Sequence, residues 1–181
     1  MFLYIHGFRS VGLCHKGSIL KSFAPTSLLP DLPYSPKLAI EFLQKLILEN
    51  KDKKFCLIGS SLGGFYATYL AEKFQCKAVL INPLVYAYEI LYPAIGKIDV
   101  VKKNESFLWS LDLVNELNAF KVKKINSSLY FVLLQKGDGV LDYKIAKEFY
   151  KDSKVCIEEG GSHYFDDFLS KKDMILDFAN S

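Results

Sequence analysis

Five short runs, residues 2–5, 55–58, 78–81, 129–134 and 155–157, are apolar almost throughout, with no alternation of polar and apolar positions. A strand with one face in water alternates, so unbroken apolar runs require strands covered on both faces of a parallel sheet. Helical patterns lie between them. In residues 35–46, Ser35 is placed to cap, Pro36 suits the first helical position, and Leu38, Ala39, Phe42, Leu43 and Leu46 form the expected apolar face. Further helices are expected over residues 62–74, 143–150 and 164–178. Residues 23–29, with Pro25 among them, are expected as a short strand. Strand followed by helix, repeated, specifies an α/β chain: a three-layer α/β/α sandwich with a mostly parallel sheet.

Residues 84–124 break this rhythm, and the interval is longer than a crossover needs. It is expected as a lid-like insertion over one edge of the sheet, with a helix over 111–117, inside a single domain spanning 1–181. Lys and Arg total 23 against 20 Asp and Glu, a net charge of +3. That charge is small and dispersed, so nucleic acid is not an expected partner. Every apolar run falls well short of the roughly 20 residues that cross a bilayer. Met1 leads directly into Phe-Leu-Tyr-Ile with no charged leader, which reads as a cytoplasmic protein. Cys14, Cys56, Cys76 and Cys156 are widely spaced, without a Cys-x-x-Cys pair or histidines at ligand spacing. No metal and no cofactor is expected, and the thiols read as inert.

Gly59-Ser60-Ser61-Leu62-Gly63-Gly64 follows one expected strand and opens the next helix. A Gly-x-Ser-x-Gly sequence in that context presents its serine on a sharp turn, and the glycines leave room where the chain folds back on itself. Ser61 then sits at a helix N-terminus, which favours developing negative charge. The phosphate-binding alternatives fail on residues. A Walker loop needs Gly-Lys-Ser/Thr, whereas Gly64 is followed by Phe65-Tyr66, and a dinucleotide fingerprint needs glycine in place of Ser61.

An activated serine needs a base, and the base an orienting acid. The chain holds three histidines. His163 follows the last expected strand, on the edge where open α/β sheets build their sites. His6 ends the first strand and is followed by Gly7-Phe8, where a loop would offer main-chain N–H groups, so it reads as a loop-shaping residue. His15 reads as solvated. Of the two aspartates after the strand ending near Gln135, Asp138 stands just past the strand, and Asp142 is placed to cap the following helix. The order Ser61, Asp138, His163 is that of the nucleophile-elbow hydrolases.

These residues make the resemblance specific. Tyr4-Ile5-His6-Gly7-Phe8, Gly59-Ser60-Ser61-Leu62-Gly63-Gly64-Phe65-Tyr66-Ala67-Thr68, Leu80-Ile81-Asn82-Pro83, Gln135-x-Gly137-Asp138-x-Val140-Leu141-Asp142-Tyr143 and Glu159-Gly160-Gly161-x-His163-x-Phe165 occur in order along the chain. The sequence resembles the α/β-hydrolase superfamily, and within it the YqiA-type family of small bacterial esterases. The resemblance implies hydrolysis of acyl esters or thioesters by Ser61, His163 and Asp138, with the N–H groups of Phe8 and Leu62 binding the oxyanion. It also implies a core trimmed at its front, since Met1 stands at the oxyanion strand. The chain departs from the family after Phe8, where Arg9-Ser10-Val11-Gly12 replaces an expected Asn-Ser-Ser-Pro.

The expected substrate is a small-molecule acyl ester or an acyl-CoA. Arg9, the one arginine, is a candidate anchor for an anionic part of it, such as a phosphate. Tyr86, Tyr88, Tyr92 and Trp109 of the insertion are candidates to line an acyl pocket. The alternative reading is a non-catalytic hydrolase-fold protein that binds a ligand or partner.

Overall fold

Along β1 (Phe2–Ile5) and then β2 (Cys56–Ser60) every side chain is buried. Before β2 come α1 (His15–Phe23) and α2 (Pro36–Glu49). After it follow α3 (Leu62–Phe74), β3 (Lys77–Ile81), α4 (Ala87–Leu91), β4 (Gly96–Val100), β5 (Glu105–Trp109) and α5 (Leu111–Glu116). The chain ends with β6 (Tyr130–Gln135), α6 (Tyr143–Phe149), β7 (Lys154–Glu158) and α7 (Lys172–Asn180). This computed structural model describes residues 1–181, the side chain of Val101 excepted.

Five strands form one sheet in the order β1-β2-β3-β6-β7, with every neighbouring pair parallel. Successive residues of a strand face opposite sides, so each inner strand feeds two cores. Leu3, Ile5, Leu57, Ala78, Leu80, Val132 and Leu134 pack with residues of α2, α3 and α6. Phe2, Tyr4, Ile58, Val79, Ile81, Phe131 and Leu133 pack with Leu20 of α1 and with Ile175 and Phe178 of α7. This is the three-layer α/β/α sandwich, and it explains why the strands could not alternate. A Lys or Asp at any inner position would be a buried charge without a partner.

Several local readings change. The buried face of α2 is Pro36, Ala39, Ile40, Leu43 and Ile47, whereas Leu38 is 53% exposed. The buried stripe is thus offset from the expected one. Residues 15–23 are helical, so the expected strand over 23–29 is reduced to a single parallel bridge between Leu28 and Leu3. The helix forms despite Gly17 because its backbone lies against the Gly12 carbonyl, where a Cβ would overlap the oxygen. The last helix begins at Lys172, after a 3-10 turn over Phe168–Lys171. Phe165 (φ 57°) and Asp167 (φ 55°) break the helical path before it.

The stretch from Leu84 to Lys124 contains an antiparallel hairpin, β4 with β5, which the sequence reading missed. Its Lys97 and Asp99 are exposed, whereas Val100 is buried. The hairpin meets the loop after β1. Phe8 packs edge-on against Trp109 with ring centroids 4.9 Å apart, and Phe107 lies 6.0 Å from Phe8.

Candidate active site

Ser61 has φ 54° and ψ −119°, a conformation that L-residues adopt only when their surroundings impose it. The surroundings are visible. Its N–H donates to Ile81 O (3.1 Å) and its carbonyl accepts from Leu84 N (3.0 Å). A Cβ on Gly59 would meet Ala67 Cβ at 2.7 Å, and one on Gly63 would overlap Ile5 O and come within 2.7 Å of His6 O. Side chains at either position would push α3 off β1 and β2, so the two glycines hold the turn tight.

The residues singled out after β6 and β7 converge on this turn. His163 Nε2 lies 3.1 Å from Ser61 Oγ, and His163 Nδ1 lies 2.8 Å from Asp138 Oδ2. The second carboxylate oxygen, Oδ1, accepts from Val140 N (2.8 Å) and Leu141 N (2.9 Å). Burial pushes the Asp138 pKa up, but the hydrogen bonds from His163, Leu141 and Val140 outweigh it, and the net shift is downward. The group therefore stays ionised and accepts the Nδ1 proton, which leaves the Nε2 lone pair facing Ser61. Asp142 caps α6 by accepting from Lys144 N.

Two buried amides fix the loop that carries His163. Gln135, at the end of β6, accepts at Oε1 from Ser162 N (3.0 Å) and Asp166 N (2.8 Å), and donates from Nε2 to Glu158 (2.8 Å) and Asp166 O (2.9 Å). Asn82, past the end of β3, donates to Ser162 O (3.0 Å) and accepts from Gln135 N (3.0 Å). Glu158 also pairs with Lys171. Sequence reasoning named both amides in motifs but assigned them no task, because two loops must be brought together before either amide has a partner.

His6 is 7% exposed, and its Nε2 accepts from Leu32 N at 3.1 Å. The proton then sits on Nδ1, which donates to Gly7 O at 2.9 Å. Burial pushes its pKa below 6.5, so the ring is neutral and braces the loop carrying Phe8. Neither Phe8 N nor Leu62 N donates to a protein acceptor among the described residues. His15 is exposed, at the start of α1.

A cavity of about 660 Å³ opens beside Ser61 and His163, and Phe8 and Arg9 line it. Tyr86, Tyr88, Tyr92 and Trp109 do not line it, and this corrects their expected place in an acyl pocket. Trp109 is 1% exposed and donates from Nε1 to Leu91 O at 3.0 Å, so its work is to hold the insertion together and clamp Phe8. Tyr86 and Tyr92 are exposed, and Tyr88 packs against Tyr92 and the Lys121 ammonium. The insertion contributes Asp99 and Lys102 to the cavity instead.

Lys16 of α1 also lines the cavity although it is 8% exposed. Its Nζ donates to Tyr164 O at 2.9 Å. Burial pushes its pKa down, opposed by Cys14 and Asp138. Nothing local in the sequence marks a lysine for burial, because the burial arises from where α1 meets the His163 loop. Cys56 is buried, and burial pushes its thiol up to about 12. Among the described residues no group of His, Cys, Asp and Glu side chains could hold a metal ion, and no helix is long and apolar enough to cross a membrane.

The profile of the family described as "Uncharacterised protein family (UPF0227)" matches residues 1–180. A UPF0227 protein of Citrobacter koseri is 26% identical over 174 residues, covering 91% of each chain. One from Shewanella woodyi is 25% identical over 178 residues, again with 91% of each covered. Among solved structures, Est1E from Butyrivibrio proteoclasticus with bound ferulic acid superposes with a TM-score of 0.75 at 13% identity, over 99% of this chain and 89% of that one. A monoacylglycerol lipase of Paleococcus ferrophilus gives 0.71 at 13% identity, over 99% and 93%. An α/β superfamily hydrolase from Oenococcus oeni gives 0.66 at 14% identity, over 99% and 92%. These similarities show the α/β-hydrolase fold.

Proposed function

Because the chain belongs to the UPF0227 family and folds as an α/β-hydrolase, we propose that it is a serine hydrolase that cleaves acyl esters or thioesters of small molecules through an acyl-enzyme. One observation carries the reading: the unbroken run of hydrogen bonds from Ser61 Oγ through His163 to Asp138. In the proposed cycle His163 Nε2 takes the Ser61 proton as Oγ attacks the acyl carbonyl, and Asp138 stabilises the imidazolium. The free N–H groups of Phe8 and Leu62 donate hydrogen bonds to the carbonyl oxygen as negative charge builds on it, and each such donor is worth about 3 kcal/mol in the transition state. The leaving alcohol or thiol takes its proton from His163. Water, activated by the same ring, then releases the acid.

Ser61→Ala tests the proposal. The variant should keep the native melting temperature and lose both p-nitrophenyl butyrate turnover and labelling by a fluorophosphonate probe. Full turnover in that variant would sink the assignment.

A further inference from the structure

The cavity beside Ser61 is unusual in its charge. Arg9, Lys16 and Lys102 all line it, against one carboxylate, Asp99. Six lysines, Lys103, Lys121 and Lys171 among them, have carboxylate partners among the described residues, but none of the three cations gathered in this cavity has one within ion-pair distance. Each is held by main chain instead. Arg9 Nε donates to Asp99 O (3.3 Å), Lys102 Nζ to Leu13 O (3.5 Å) and Lys16 Nζ to Tyr164 O (2.9 Å). Carbonyl contacts orient a cation without neutralising it. They also leave donors over, since an ammonium has three and a guanidinium five. Lys16 carries the argument furthest, because a cation taken out of water needs acceptors, and only one of its donors has a protein partner.

The three cations come from separate parts of the chain, the loop after β1, the first turn of α1 and the turn between β4 and β5, and they meet on the wall that also holds the serine. Resting on the serine-hydrolase reading, we infer that this cavity binds an anionic group of the substrate, a carboxylate or phosphate carried on its acyl or its alcohol portion. Arg9 and Lys102 reach the anion from the mouth, and Lys16 meets it from the wall. The enzyme then selects anionic esters over neutral ones of the same shape.

Matched esters that differ only in charge test this. For the acyl side, the pair is mono-p-nitrophenyl adipate and its methyl ester. For the alcohol side, it is 4-acetoxybenzoate and its methyl ester. In the arm that matches the natural substrate, kcat/KM for the anionic ester should exceed that of its neutral partner by about tenfold or more, the scale of one charge-assisted hydrogen bond. Arg9→Gln and Lys102→Gln, both at exposed positions, should each bring that ratio down toward one, and the double variant further. A ratio at or below one in both arms, or a ratio that survives the double variant, overturns the inference. Calorimetry on Ser61→Ala with monomethyl adipate against dimethyl adipate reads the same preference without turnover. If neither ester of a pair is cleaved, the serine-hydrolase reading fails. Tighter binding of the monoanion would then still support the anion site, and equal binding would overturn it.

Discussion

Gln135 should be worth more to catalysis than its distance from the serine suggests. Its buried amide, 3% exposed, makes four hydrogen bonds to the segment over 158–166 that carries His163. Gln135→Leu keeps the volume and removes all four, leaving the Ser162 and Asp166 N–H groups without acceptors. At about 1 kcal/mol net for each bond the loss is about 4 kcal/mol. For a chain of this size that corresponds to a fall in melting temperature of roughly 8–16 °C, still within what a folded domain tolerates. The kinetic effect is separable. If the loop relaxes by about 1 Å, kcat should fall about 100-fold, while KM for p-nitrophenyl butyrate changes less, because of the cavity lining only His163 and Tyr164 belong to that loop. Gln135→Glu is the sharper variant, since it keeps Oε1 as an acceptor but sets a carboxylate against Glu158. It should lose kcat at neutral pH and regain part of it as the pH falls and one of the two carboxyls takes a proton. Thermal melts and steady-state kinetics on the same preparations decide it. A Gln135→Leu enzyme destabilised as expected, yet within threefold of native kcat, would refute the positioning argument and leave the amide a packing residue.

The other predictions concern the proposed triad and the loop after β1. Asp138→Asn replaces the acceptor for His163 Nδ1–H with an amide that permits the wrong tautomer, so kcat should fall about 10⁴-fold with KM little changed; a loss below tenfold would remove Asp138 from the triad. Burial holds the His6 pKa below 6.5, so between that lower value and 6.5 the unfolded chain binds a proton that the native one does not. His6 therefore contributes stability above pH 6.5 that is lost as the pH falls toward the folded value. In melts at pH 8 and pH 5, His6→Asn should be the less stable protein at pH 8, with a gap to wild type that narrows at pH 5; a constant gap would show that His6 is not buried neutral.

Much of this was legible because some residue types admit only one geometry. The elbow could be read from Gly59 and Gly63, since no other side chain fits where α3 crosses the ends of β1 and β2. Asp138 could be told from Asp142 because a helix N-terminus requires a cap, and Asp142 provides it. The stripe of α2 was set out of register because Leu38 is as apolar as Ile40, and sequence does not say which one meets the sheet. Residues 15–23 were hidden as a helix by Gly17, whose fit depends on Gly12 approaching from outside the helix. The hairpin over 96–109 left a weak signal, the polar Lys97 and Asp99 set between Ile98 and Val100.

The insertion shows the limit most clearly. Its aromatic content suggested a hydrophobic cover for an acyl chain, and that inference treated residue type as a guide to position. In the structure Trp109 and Phe107 turn toward Phe8, while the groups the insertion gives to the cavity are the polar Asp99 and Lys102. An aromatic ring gains most where it is wholly out of water, and in a short hairpin that place is the seam with the body of the protein rather than an open cavity wall. A flexible charged side chain loses least where solvent remains, so it is left facing the cavity. Within the hairpin, that partition puts Phe107 and Trp109 in the seam and leaves Asp99 and Lys102 facing the cavity, so under the serine-hydrolase proposal the charge of the ester is the property to vary first.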